Sequence, residues 1–187
     1  QNNNWSGDAT IVGRTGGSAG NTILRNGTND VIPDGFGMGN MQLGNSGNTA
    51  SLTAWDLNGF NETINGLISI GTVPSLMVIS NNAAKALSTL TIGNNDQSGT
   101  FAGVMAGNLA LTKIGAGVET LTGNNTYSGN TTVSGGTLAL SGGTSIAASP
   151  NTLVQNGALL DVAGLTNNFD YPNNLSLNSD GALLLDA

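Results

Sequence analysis

Two lysines, Lys85 and Lys113, are the only side chains here that could serve a serine nucleophile as its base, since the chain contains no histidine and no cysteine. A nucleophilic serine needs such a base within hydrogen-bond reach. The same absences remove the commonest soft metal ligands and any disulfide framework or thiol chemistry. Paired carboxylates are the other chemistry to seek, because polysaccharide hydrolysis uses two of them. Of 11 acidic residues, none are adjacent or two apart, and couples such as Asp56 with Glu62 and Asp180 with Asp186 stand six apart. Enzymes acting on acidic sugars also need Arg, Lys or His beside the substrate, and this chain has only Arg14, Arg25, Lys85 and Lys113. No catalytic residue is assigned, and the chain is read as non-enzymatic.

Binding motifs are equally sparse. Pro33 to Asn40, PDGFGMGN, offers Asp34 and Asn40 as oxygen ligands, fewer than a calcium loop uses. It lacks the Gly-Lys-Ser ending of a phosphate loop and reads as a Gly-rich turn, so no metal or cofactor site is assigned. Trp5, Trp55, Tyr127, Tyr171 and the four Phe are too scattered for an evident sugar platform. Sequons at Asn4, Asn26, Asn61, Asn124, Asn130 and Asn174 are expected by chance in a chain this rich in Asn, Ser and Thr. A net charge of −7 with dispersed cations argues against phosphate-backbone binding and hence against nucleic acid. The longest apolar stretch, Gly66 to Ser80, is broken by Ser, Thr and Pro74, so no membrane helix is expected. The N-terminus reads as that of a mature chain after signal removal, or of an excerpt from a longer protein.

The elements that must hold these residues are strands. Charged residues are only 8% of the chain against a typical quarter, while 38% are hydrophobic and alternate with Thr, Ser and Asn. Gly-x-Leu units begin at Gly136, Gly157 and Gly181, at sequence offsets of 21 and 24. Earlier alternating pairs (Met41/Leu43, Leu52/Ala54, Leu90/Ile92, Leu109/Leu111) recur less evenly. A period in the low twenties suits one coil of a right-handed parallel β-helix with three short strands per coil. Over 187 residues this predicts a single all-β solenoid domain of roughly eight coils, stacked about 4.8 Å apart. Inward positions take alternate residues, Gly supplies positive φ at corners, and Asn supports turns or stacks in ladders. Asn-Gly at Asn26, Asn58, Asn65 and Asn156 marks candidate corners. Ser80 to Leu90 is compatible with a short helix, a loop or a strand.

Residues 111–140, LTKIGAGVETLTGNNTYSGNTTVSGGTLAL, carry a specific resemblance. Leu111 to Lys113, Gly115, Gly117, Asn125 to Tyr127, Gly129, Thr131 to Val133 and Gly136 to Leu138 follow the order of the autotransporter-associated β-strand repeat (passenger-associated transport repeat) of bacterial surface and secreted proteins. Val31 to Leu43, Asp56 to Leu67 and Thr91 to Met105 resemble segments preceding that repeat, more loosely. The resemblance implies a β-solenoid, a secreted or cell-surface location, and a scaffold element without a site of its own. It implies that Lys113 is a solvated or a coil-edge lysine and that Tyr127 packs in a corner. Glu119 departs from the pattern, standing where the repeat carries an apolar residue on the face of Leu121. Either this strand is shifted or bulged, or Glu119 lies where water reaches it.

The C-terminal strand GALLLDA leaves Leu183, Leu184 and Leu185 as candidates for self-association, and residues 1–30 are expected to cap the column or exchange a strand. The expectation is an extracellular structural protein, a subunit or segment of a surface fibre, filament or sheath assembled by end-to-end stacking or strand donation. A surface adhesin binding glycans or other cells is the second reading, and a polysaccharide-acting enzyme the third.

Overall fold

The computed structural model describes residues 6–13, 20–45, 51–84, 86–144, 146–155, 157–166, 174–178 and 180–185. Alternating apolar residues bounded by Gly and Asn form short strands, and all their pairings are parallel. The strands stack into three sheets. Sheet A runs β1 (Ala9–Val12), β3 (Met41–Asn45), β6 (Leu67–Gly71), β9 (Gly99–Phe101), β12 (Val118–Leu121), β15 (Thr137–Gly142), β17 (Leu159–Leu165), β19 (Ala182–Leu184). Sheet B runs β2 (Thr22–Arg25), β4 (Thr53–Asp56), β7 (Met77–Asn81), β10 (Val104–Gly107), β13 (Thr126–Tyr127). Sheet C runs β5 (Glu62–Ile64), β8 (Ser88–Ile92), β11 (Leu109–Lys113), β14 (Thr131–Val133), β16 (Asn151–Val154), β18 (Asn174–Leu177).

This is the expected β-solenoid, with about six turns in place of eight. The difference comes from coil length. From Gly99 to Ala182 the rungs of sheet A keep the expected spacing, pairing Gly99 with Glu119, Val118 with Thr137, Thr137 with Leu159 and Leu159 with Ala182. Earlier rungs are longer: Ala9 pairs with Met41, 32 positions on, and Thr22 with Thr53, 31 on. The added residues form loops, chiefly between β2 and β3. No α-helix occurs among the described residues, and Ser80 to Leu90 contributes to β7 and β8 instead. Within the N-terminal segment 1–30, β1 and β2 are the opening rungs of sheets A and B.

Inward side chains stack into files. In sheet A one file runs Met41, Leu67, Gly99, Glu119, Leu138, Leu160, Leu183, so the inward leucines that follow Gly136, Gly157 and Gly181 lie on one another. In sheet C a file runs Ile64, Ile92, Lys113, Val133, Val154, Leu177. Leu43, Trp55, Ile79, Phe101, Met105 and Leu121 fill the centre with no exposed surface. Fully burying each such side chain is worth about 1.5–3 kcal/mol.

Corners are built as expected from Gly and Asn. Gly93, Gly115 and Gly136 all have positive φ (104°, 68° and 58°) at the turn from sheet C to sheet A. A Cβ on Gly93 would collide with the Ile114 carbonyl oxygen, and one on Gly115 with that of Gly93. Only glycine meets both the conformation and the approach. Asn26, Asn58 and Asn65 each stand at a turn between strands, and Asn58 has φ 52°. Asn130, Asn151 and Asn174 form an amide ladder up sheet C, linked at 2.9 and 3.0 Å. Trp5, Arg14, Lys85, Asn156, Tyr171, Asn4 and Asp186 lie outside the described residues.

Candidate functional site

Ionisable groups that the sequence places at edges lie inside the column. Lys113 has no accessible surface. Alternation carries it inward with Leu111, and its amine reaches the corner, donating to the carbonyls of Ile114 (2.5 Å), Gly115 (3.1 Å) and Gly135 (3.3 Å). The expectation of a solvated lysine is therefore corrected, while the amine does reach the coil edge at this corner. Burial pushes its pKa down, against the pull of Glu119 and Asp96. Its hydrogen bonds go to these backbone carbonyls.

Glu119 is also fully buried, and both explanations considered for it fail. Strand β12 pairs in unbroken register with β9 and β15; the bulge in this sheet falls elsewhere, between Ala139 and Ser141 against β17. The carboxylate fits because the adjacent rung carries Gly99, whose missing side chain leaves room. One oxygen stands 2.7 Å from where a Gly99 Cβ would be and accepts the Leu67 amide at 3.2 Å. The other has no partner. Burial raises its pKa to about 8, with the Leu67 amide and Lys113 working against the rise. The interior is thus not wholly apolar.

Two more buried polar residues organise the surface. Glu62, pushed up to about 7 by burial, accepts the amides of Val31 (3.0 Å) and Ile32 (2.6 Å) and the side chain of Asn26 (2.8 Å). Here a carboxylate supplies the acceptors that a neighbouring strand would otherwise have provided. Asn65 donates to the carbonyls of Gly35 (3.2 Å), Met38 (2.9 Å) and Gly39 (3.1 Å) and accepts the Gly35 amide (2.9 Å). The PDGFGMGN stretch is a turn, as expected, closed by the Met38 amide on Gly35 at 3.2 Å, with φ of 87° and 83° at Gly35 and Gly37. At its tip Phe36 is 94% exposed. The alternation pattern holds no trace of this residue; its neighbouring glycines are the available signal.

The other candidates are not brought together. Asp56 pairs with Arg25 at 3.0 Å and accepts the Asn58 and Asn82 amides; burial would raise its pKa, but these bonds outweigh burial and hold it below the usual range. Glu62 is committed to other partners. Trp55 is buried with its indole N–H on Asn26 at 2.8 Å, and Tyr127 packs into the core with its hydroxyl 2.6 Å from Thr131. Among the described residues no cluster of three or more His, Cys, Asp or Glu could hold a metal, and no helix is long and apolar enough to cross a membrane. At the C-terminal rung Leu183 packs against the core, while Leu184 and Leu185 are 45% and 51% exposed. At the first coil a mainly apolar cavity of about 580 Å³ opens onto Ala9, Ile11, Leu24, Val31, Ile32 and Met41, with Asp8 and Thr10 also in its lining.

Stacked parallel coils with an interior file of side chains define the class: a β-solenoid scaffold. Residues 111–140 match the family model described as the passenger-associated-transport-repeat, the span and repeat expected from the sequence. No curated protein and no solved structure matches the chain. Repeat and fold together fit an autotransporter passenger-like protein, and the repeat family implies a bacterial surface or secreted location.

Proposed function

We propose that this chain is a non-enzymatic extracellular structural element, a rung-stacked section of a surface fibre or sheath, whose terminal rungs are covered by a second copy stacked end to end. The observation that carries this is the apolar character of both ends of the described column. Ala9, Ile11 and Leu24 of the first coil are inward-facing yet only half-buried, around the 580 Å³ cavity, and Leu183, the inward residue of the last rung, is likewise only partly buried. Parallel strands add rungs without changing direction, so β19 has the polarity needed to be continued by β1 of a second copy. Such head-to-tail contacts are heterologous and propagate as filaments. Light scattering and electron microscopy test this: concentration-dependent filaments are expected, abolished by Leu184→Lys. A particle that stays monomeric at high concentration refutes it.

A further inference from the structure

We infer that the outer face of sheet C is a surface for binding ice. Three observations carry this: the regular array of its hydroxyl groups, their lack of partners within the chain, and the absence of charge between them. Outward residues alternate with the buried files, and the register places Thr63, Thr91, Thr112 and Thr132 on one another over four successive rungs. A second file stands two positions earlier on each rung: Asn61, Thr89, Ala110 and Asn130. Sheet C pairs here without the bulge that interrupts sheet A, so both files keep the strand spacing of about 4.8 Å. That repeat lies within a few tenths of an ångström of the oxygen repeat in the basal plane of hexagonal ice.

The hydroxyls are left for water to satisfy. Thr63, Thr89, Thr91, Thr112 and Thr132 are half-buried, and none of their hydroxyls bonds to another group of the chain. The inward Thr131 hydroxyl, by contrast, is held by Tyr127 and Ser149. β-Branched side chains are stiff at χ1, so water on the outward hydroxyls is held at fixed sites, with threonine methyls between them. Such a layer already has a lattice repeat, and an ice surface continues it at little further ordering cost. Fixed charges would break that arrangement. Glu62 and Lys113 of these strands are buried, and Asp30 reaches only the first rung, accepting the Thr63 amide at 3.1 Å. The two files contain no aromatic ring to stack on a sugar and no cation to hold an anionic surface. The face uses none of the residues at the column ends, so it and end-to-end stacking fail separately.

The test follows single ice crystals in a solution of the whole chain by nanolitre osmometry. Recrystallisation of polycrystalline ice, and retention on powdered cellulose and chitin, are measured in parallel. Faceted crystals, a freezing point held below the melting point, and slowed recrystallisation are expected. Thr112→Lys, in the middle of the file, removes all of these with an unchanged Tm. Thr100→Lys, on the outer face of sheet A, leaves them intact. Three results overturn the inference: ice that grows as it does in buffer, with or without retention on cellulose or chitin; an effect on ice that Thr112→Lys leaves unchanged; or one that Thr100→Lys removes equally.

Discussion

Replacing Glu119 by Gln should flatten the dependence of stability on pH. An unfolded glutamic acid titrates near 4.5, whereas the buried carboxyl at position 119 holds its proton up to about 8. Between these values the folded chain carries a proton that the unfolded chain has released. Glu119's contribution is therefore fully present below pH 4.5 and is lost as pH rises towards 8. For one group the loss is about 1.4 kcal/mol per pH unit, or roughly 3 kcal/mol from about pH 5 to about pH 7. Glu62, raised to about 7, slopes the same way over a narrower window. Asp56 is depressed below its ordinary 3.8 and acts only in stronger acid, while Lys113, lowered from 10.5, opposes the trend from the alkaline side. Glutamine keeps an oxygen for the Leu67 amide and removes the titration. Urea unfolding of both proteins across this range should show the wild type losing roughly 3 kcal/mol more than the Gln variant between about pH 5 and about pH 7. Equal slopes, or a wild type that gains stability as pH rises, would refute the reasoning.

Gly99→Ala drives a methyl group into the Leu67 carbonyl oxygen and to 2.7 Å from the Glu119 carboxylate, forcing apart two rungs of sheet A. Overpacking of this kind should cost about 1–3 kcal/mol, read as a lower thermal midpoint. Asn65→Ala removes four hydrogen bonds from the turn that carries Phe36. It should cost about 3 kcal/mol and speed amide exchange at Gly35, while amides in β14 keep their protection.

Leu138, Leu160 and Leu183 are legible as a file because the units that begin at Gly136, Gly157 and Gly181 keep nearly the length of one coil. Eight coils is too many because the N-terminal coils hold long loops, such as the one carrying Asp30 to Asn40, that no periodicity announces. The solvated reading of Lys113 follows its polarity. The alternation with Leu111, two positions before it, points inward, and burial follows the alternation. What makes Glu119 tolerable inside is not legible. Gly99 lies a full coil earlier in the chain and becomes its neighbour only through inter-coil register. Asn65 gives only a corner signal, since the partners of its side chain come from the preceding coil.

The inward lysine has a practical consequence. The chain contains two lysines, and Lys113 has no accessible surface. Amine-directed reagents, and proteases that cut after basic residues, can reach this position only when the coils around it open. Acylation at Lys113, followed by mass spectrometry, therefore times the opening of the mid-column without an added probe.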